Sequence, residues 1–559
     1  MLVAAVLLGA TVHPTSAFAQ TDVIRGRIVG PDNQPVERAN VTVTSISGNV
    51  SRTARTDKNG RFTITFPGDD GDYFVSVAAL GFGAKRFEVK RTGDQEILVA
   101  DAKLQQVAAQ LDAVKVNADR KKVGRNDLSP DISGSERPVT SGAVSADQLG
   151  DLAALAASLP GVQLIPSADG SPSGFSVLGL APDQNLTTLN GMNFGGSNLP
   201  RDANVSTSVI TTPYDVSRGN FSGGLLNVRS RGGSNYINRS TSLNFDTPHL
   251  QWTDHAARSL GQQYQNISLG GLLSGPIQTD KSFFSIAYQA GRRSQDLQSL
   301  LNTSPLGLQT AGIASDSVQR LLSILNQARV PATVGGIPSS RLSDNALVFG
   351  TFDFMPPSST TGQALNVTFN ASLNRQDPAG ISATELPAHS GERTNWYGGV
   401  QAKHSSYFGF GVLTETSLGL NRMRLYSNPF VALPSGTVRV NSTFADGTPS
   451  VQTAAFGGNP AMNTSMTTTT AQFMNALSWF SSNNKHKIKL TTELRRDQYA
   501  QDLTTNQLGS FSFNSLTDLE NGRPASFTRQ LSPRARSDGQ YVAGISLGDS
   551  YAPTSDLQV

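Results

Sequence analysis

Cysteine is absent from all 559 residues, which excludes a disulfide framework, a thiolate metal site and lipid attachment at a cysteine behind an export signal. Long apolar runs are missing too, and no stretch approaches the ~18 consecutive apolar residues that a membrane helix needs. Charge is sparse, at 16% of residues with a formal net +3. It never gathers into a dense basic block, so a pI near 9.0 does not indicate a nucleic-acid partner. Lys121-Lys122 and Arg292-Arg293 are isolated pairs suited to solvated loops. The six histidines form no ligand cluster, His249 and His255 lying too far apart for one helical face. No phosphate-cradling glycine loop occurs. Gly544-Ile545-Ser546-Leu547-Gly548 matches G-x-S-x-G, yet no histidine follows Ser546 and its flanks alternate like a strand, against a hydrolase elbow. The chain therefore reads as a non-enzyme with no cofactor and no metal. A membrane-embedded sheet stays open, because barrel strands expose apolar side chains only at every second position and keep mean hydropathy low, here -0.24.

What is present divides into segments. Residues 1–20 carry an apolar run, Leu2 to Thr11, and Ala17-Phe18-Ala19 before Gln20, the form of a secretory signal whose basic n-region is missing. Residues 21–105 hold short alternating strands around Ile24 and Ile28, Val41 and Val43, and Phe62, Ile64 and Phe66. Turns at Gly30-Pro31-Asp32-Asn33, Asp57-Lys58-Asn59-Gly60 and Gly68-Asp69-Asp70-Gly71 separate them, predicting a small antiparallel sandwich. Asp57 to Gly60 is no calcium loop: Arg55 stands where the first acidic ligand belongs and Phe66 where the bidentate glutamate belongs. An Asn-Gly hairpin turn is expected there instead. The order GRIVGPDNQPVERANVTV, RTDKNGRFTI, GDYFVSVAALGF resembles the carboxypeptidase regulatory-like domain, a transthyretin-like β-sandwich.

Residues 106–137 turn polar and irregular, as a linker does. Ser145-Ala146-Asp147-Gln148 has the form of a capping box, followed by Leu149, Leu152, Leu155, Ala156 and Leu159 on one helical face until Pro160-Gly161. Further strands are expected at Phe175 to Leu180 and Leu186 to Gly191. The run from Pro213 to Gly233, PYDVSRGNFSGGLLNVRSRGG, then turns, crosses a strand and stops. These features together resemble the plug domain of TonB-dependent outer-membrane receptors, over residues 138–234. Leu178 and Asn190 depart from the arginine and aspartate that many relatives carry, so those charge contacts do not transfer. Within the linker, Asp112, Ala113, Val114, Lys115, Val116, Asn117 and Ala118 resemble a TonB box, with Lys115 and Asn117 as departures; an ordinary linker strand is the alternative.

From 235 to 559 the pattern changes to long alternating segments. Leu365, Val367, Phe369, Ala371 and Leu373 alternate with Asn366, Thr368, Asn370, Ser372 and Asn374. A late hairpin runs through Phe473, Leu477 and Trp479 and returns through Ile488, Leu490 and Leu494 opposite Lys485, Lys487, Lys489, Glu493 and Arg495. Gly275 to Phe284 turns the chain between two earlier segments, as the first periplasmic hairpin of Oar-like receptors does. Trp396, Tyr397, Trp479 and Phe480 are placed near strand ends, as in an interfacial aromatic girdle. The connection from Leu301 to Asp344 carries a helix with Ser315 as cap and Val318, Leu321, Leu322 and Leu325 on one face. The expected fold is mainly β: an N-terminal transthyretin-like β-sandwich, an α+β plug domain, and part of a transmembrane antiparallel β-barrel. About ten strands are counted where plugged transporters close ~22, so the chain is expected to be C-terminally incomplete.

The resemblance implies a receptor or transporter of the Gram-negative outer membrane, embedded in outer-membrane lipid with its sandwich in the periplasm. It implies an extracellular ligand at the plug apices, here Asp169, Ser171, Asn190, Asn193, Ser197 and Asn198, positions that suit plain loops equally. It also implies TonB, energised through ExbB and ExbD, as partner. Two other readings stay open: an outer-membrane structural or secretion-associated protein of the same architecture, and a soluble adhesin of β-sandwiches.

Overall fold

The computed structural model describes residues 21–46, 50–67, 72–90, 97–105, 136–139, 144, 148, 150–165, 174–211, 221–250, 252, 263–355, 363–408, 411–481, 485–551 and 553. The first unit is a sandwich of eight strands: β1 (Thr21–Val29), β2 (Asn40–Ser45), β3 (Ser51–Arg55), β4 (Arg61–Pro67), β5 (Asp72–Ala78), β6 (Lys85–Lys90), β7 (Ile97–Val99) and β8 (Ala102–Lys103). Alternation sends Val41, Val43, Phe62, Ile64, Phe66, Val75 and Val77 into one buried core. Two details differ from expectation. The sandwich is mixed, because β7 and β8 run parallel to β1. Asp57 to Gly60 is a tight turn but closes no hairpin: β3 pairs with β2 and β4 with β1, so it carries the chain from one sheet to the other. The Asp57 carboxylate fixes that turn by accepting from the Asn59 and Arg61 backbone N–H groups, both at 2.8 Å.

The second unit is a small α+β domain. It holds β9 (Glu136–Val139), α1 (Leu152–Ala157), β10 (Val162–Ile165), β11 (Gly174–Val177), β12 (Leu186–Leu189), β13 (Met192–Asn193), β14 (Val205–Ile210) and β15 (Leu225–Ser230). The five-stranded sheet has the order β13-β12-β15-β14-β9, so Glu136 and Arg137 join its edge rather than the linker. The helix starts later than the capping-box reading places it. Gly150 has φ +98, outside the helical region, and a side chain there would meet the Leu199 carbonyl. Asp151 is the N-cap, its carboxylate accepting from the Ala153 and Ala154 N–H groups at 2.9 and 3.2 Å. Ser145, Ala146 and Asp147 lie outside the described residues. The strand expected at Phe175 to Leu180 ends at Val177, because Leu178 (φ 52) and Gly179 (φ 84) turn the chain.

The third unit is a ten-stranded antiparallel sheet. It comprises β16 (Asn238–Asp246), β17 (Tyr264–Gln278), β18 (Ser282–Asp296), β19 (Ser340–Phe354), β20 (Ala364–Ala379), β21 (Gly391–Phe408) and β22 (Val412–Pro429). After β23 (Ser435–Thr443) and β24 (Pro449–Gly457) in a connection, it continues with β25 (Thr464–Phe480) and β26 (His486–Asp502). Following β27 (Ser510–Phe513) and β28 (Ser526–Thr528) in another connection, it ends with β29 (Ala535–Tyr551). Each of the ten pairs with its predecessor in the sheet, and the sheet is open, with β16 and β29 at its edges. Connections alternate between tight and long, so one rim carries turns such as Thr279–Lys281 and the other carries everything else. The turn within Gly275 to Phe284 is thus only three residues, the strands extending further than read. Gly544 to Gly548 are interior to β29, paired with Glu493 to Lys489 of β26.

Four long connections fold together at the second rim. The β23, β24, β27 and β28 strands form their own sheet, against which pack α2 (Pro305–Thr310), α3 (Ser315–Gln327) and α4 (Leu516–Glu520). Leu308, Leu321, Leu325, Val438, Phe456 and Phe513 share one core there. The cap residue of α3 is Ala314, with Ser315 the first helical residue, and Val318, Leu321, Ile324 and Leu325 are its buried stripe. His389 is buried in this assembly, with Nδ1 3.2 Å from the Phe456 carbonyl oxygen. Burial lowers its pKa, against an opposing pull from Glu385. The unfolded chain thus binds the proton more readily, so the stability this site contributes is full above the ordinary histidine pKa of ~6.5 and is lost as pH falls below it. Limited proteolysis of residues 430–463 is expected to accelerate between about pH 7.5 and about pH 5, and His389→Gln to flatten that dependence. Equal acceleration in the variant would remove His389 as the cause.

Candidate functional site

Alternation along the ten strands sorts the sheet into two faces. One presents Leu269, Leu273, Val348, Leu373, Val400, Leu418, Leu420, Leu490 and Leu494, all exposed. The other presents Asn366, Thr368, Asn370, Gln401, Asn421 and Gln472, all buried, and it holds the α+β domain. The contact is polar and repeated. Arg201 donates its backbone N–H to Gln289 Oε1 at 2.9 Å and its guanidinium to Ser242 Oγ at 2.9 Å. Asn193 donates its backbone N–H to Gln472 Oε1 at 3.0 Å and accepts at its carbonyl from Asn421 Nδ2 at 2.9 Å. Met192 lies against Gly419, where a side chain would collide with it. Arg229 on β15 faces Glu415 of β22; burial pulls the guanidinium pKa down to about 10 while Glu415 opposes. Glu415 is also paired with Lys403 at 2.7 Å.

The sequence-predicted site residues separate here. Asp112 to Ala118, Asp169 and Ser171 lie outside the described residues. Asn190 is buried, and it is no apex. With φ 52 beside Gly191 at φ 83 it forms the turn between β12 and β13, a conformation asparagine tolerates. Its side chain is fully used: Oδ1 accepts from the Ser230 N–H at 2.8 Å and Ser230 Oγ at 3.1 Å, and Nδ2 donates to Thr368 Oγ1 at 3.1 Å. The chain of bonds continues, Thr368 Oγ1 donating to Asn366 Oδ1 at 2.7 Å and Asn366 Nδ2 to Asp353 Oδ1 at 2.8 Å. Asp353 Oδ2 then accepts from the Gly233 N–H at 3.1 Å. Ser197 and Asn198 are half-buried and brace α1, Ser197 accepting from the Leu152 N–H at 3.1 Å and Asn198 bridging Asp151.

Among the described residues, Asn193 is the one predicted site residue that lines a cavity. Between it and the polar face lies a cavity of about 550 Å³ bordered by Tyr397, Asn421, Asp497, Tyr499 and Arg536. One acid, one base and a majority of neutral amide, hydroxyl and aromatic groups suit a polar, weakly charged ligand. Tyr397 belongs to this interior, donating to Asn421 Oδ1 at 3.1 Å and meeting Phe194 edge-on at 5.4 Å. Its expected place in an aromatic girdle is thereby corrected: it is one residue out of phase with Trp396, which faces outward.

The tight-turn rim carries a second contact that sequence reasoning missed. The sandwich docks on it: Arg25 donates to Tyr407 Oη at 3.3 Å and stands 5.1 Å from the centroid of the Phe480 ring, while Val23 and Ile97 pack with Tyr407 and Leu413. Arg52 donates to the Asp280 carbonyl oxygen at 2.6 Å, its pKa lowered to about 10 by burial against the pull of Asp280. Phe283 enters the sandwich core itself. Phe480 is therefore a docking residue rather than a girdle one. The available signal was its phase, since Phe480 follows the outward-facing Trp479.

Residues 23–105 match the Carboxypeptidase regulatory-like domain family. A comparison with curated proteins finds no match. Among solved structures, the chain is similar to the outer membrane transporter YddB from Escherichia coli at 12% identity and TM-score 0.49, covering 74% of this chain and 54% of that one. It is similar to the siderophore receptor PirA from Acinetobacter baumannii at 13% identity and TM-score 0.45, covering 76% and 56%. A mutant of the ferric enterobactin receptor PfeA from Pseudomonas aeruginosa aligns at 13% identity and TM-score 0.44, covering 75% and 55%. The chain spans about half the length of the solved structures it matches.

Proposed function

We propose that the chain is part of a TonB-dependent outer-membrane receptor that binds an extracellular ligand and moves it across the membrane with energy delivered by TonB. One observation carries this reading. A ten-stranded sheet turns an exposed apolar face away from a polar face on which an α+β domain is held by hydrogen bonds. A soluble sandwich buries its apolar face, whereas here that face is the one left open, an arrangement suited to lipid. The regulatory-like domain ahead of the plug-bearing sheet supports the same reading. Short turns on one rim and long connections on the other support a periplasmic and an extracellular side respectively; on this reading the docked sandwich is periplasmic and the folded cap lies outside. The cavity beside Asn193 is then the ligand site, approached from the cap.

The test is insertion. The protein is expected to fractionate with outer membranes, to resist extraction by alkaline carbonate, and to migrate differently on gels before and after boiling. Release by carbonate with heat-independent migration would leave the soluble adhesin as the better account.

A further inference from the structure

We propose that the outer face of β21, β22, β25, β26 and β29 binds a phosphate-bearing lipid of the leaflet at the long-connection side, its acyl chain in a groove and its phosphate on Arg422, Arg424 and Arg496. The inference rests on the membrane-spanning reading of the sheet.

Register places the parts. One outward row reads Ala402, Leu418, Phe473, Leu494, Ala543, and the next, towards the long connections, reads Val400, Leu420, Ala471, Arg496, Tyr541. These two rows line a groove of about 610 Å³. Three alanines among leucines and phenylalanine leave the surface recessed, with a width set by interstrand spacings of about 4.8 Å. Above the groove, the third row begins Gly398, Arg422, Thr469 and the fourth Trp396, Arg424, Thr467. Successive outward rows are about 7 Å apart and neighbouring strands about 4.8 Å, so Arg422 and Arg424 rise in file on β22 above the groove, while Arg496 stands at the groove's own upper row two strands away on β26.

Their surroundings differ from those of the outward Arg292 and Arg375. Arg292 is held by Asp344 at 2.6 Å, and Arg375 by Glu392 at 2.8 Å and Asp377 at 3.0 Å. Arg422, Arg424 and Arg496 form no ion pair among the described residues. Arg424 and Arg496 lie only against aromatic faces, 5.6 Å from the Tyr426 centroid and 5.4 Å from that of Tyr541. Paired arginines at a lipid boundary are neutralised within the protein, whereas three arginines without an ion pair at the upper edge of an apolar recess are complementary to an anion with a hydrocarbon tail. Guanidinium groups bind phosphate oxygens bidentately, which gives the site geometric preference as well as charge. Simple snorkelling to water would orient the same side chains without preferring phosphate.

The experiment places the full chain in zwitterionic nanodiscs and titrates bis-phosphorylated lipid A against its dephosphorylated form, with native mass spectrometry counting bound lipid. Wild type is expected to prefer the phosphorylated lipid at least about tenfold, the scale of one charge-assisted hydrogen bond. Arg422→Gln/Arg424→Gln/Arg496→Gln is expected to bring the ratio to about one. Ala471→Trp fills the groove and lowers retention of both lipids, while Arg292→Gln, which removes a paired arginine, leaves the preference intact. Insertion with equal binding of the two lipids, or an unchanged ratio in the triple variant, overturns this site and leaves the receptor reading standing. Failure of the wild type to insert overturns both.

Discussion

Replacing Val114 with proline is expected to abolish capture of the protein by the periplasmic domain of TonB while leaving the folded sheet unchanged. The segment Asp112 to Ala118 is short, alternates apolar and polar residues, and lies between the sandwich and the α+β domain. Such a strand recognises a partner by adding its backbone to an exposed sheet edge, so main-chain hydrogen bonds supply most of the affinity. Proline deletes one N–H donor and excludes the residue from a central ladder position, a loss of at least about tenfold in affinity from one broken bond and its neighbours. Energised uptake should then fall to the background of a strain without TonB. Val114→Ile preserves the backbone and should bind as wild type. The chain has no cysteine, so one introduced at Val116 reports cross-linking to a cysteine in TonB without background. Undiminished capture of the proline variant would favour the structural or secretion-associated reading, in which residues 112–118 are an ordinary linker strand.

Much of the architecture is legible because a strand period of two is hard to disguise. Leu365, Val367 and Leu373 and Ile488, Leu490 and Leu494 lie on one face as their alternation requires, and the α+β domain is followed by one ten-stranded sheet, close to the count the segments give, with four further strands in the connections. Reading stopped where a contact joins residues far apart in the chain. The cap at the long-connection rim is assembled from four connections, and Val438 or Phe513 shows no local period that tells of Leu321 across the core. A good capping-box pattern precedes helix α1, yet what sets its start is Gly150 against the Leu199 carbonyl, a contact between residues about 50 positions apart that no local pattern reveals. Aromatic residues near strand ends were read as one class, yet phase divides them: Trp479 turns outward and Phe480 inward to meet Arg25.

Asn190 shows what that blindness costs, and it carries the second large expected effect. An Asn-Gly pair reads as an exposed turn free to meet a ligand; in the fold the turn is pressed on the polar face of the sheet and the side chain is 8% exposed. It is the middle of a chain of bonds from Ser230 through Thr368, Asn366 and Asp353 to Gly233, tying both ends of the run that leaves the α+β domain to strands β19 and β20. Asn190→Gly keeps the turn but strands the Ser230 N–H and hydroxyl and removes the bond that Thr368 Oγ1 accepts, leaving that hydroxyl only its own bond to Asn366; with each stranded buried group costing about 1–3 kcal/mol, a destabilisation of about 2–5 kcal/mol is expected. Asn190→Leu adds strain at positive φ and should cost more. Unfolding of the α+β domain in urea, followed by protease access at residues 205–211, measures the loss. Combining Asn190→Gly with Thr368→Val completes a double-mutant cycle: each single change breaks the same Asn190–Thr368 bond and leaves one partner behind, whereas the double variant leaves neither, so the pair should cost clearly less than the sum of the two single changes. Additive costs would mean that the α+β domain is held to the sheet elsewhere, with Arg201 and Asn193 as the next contacts to remove.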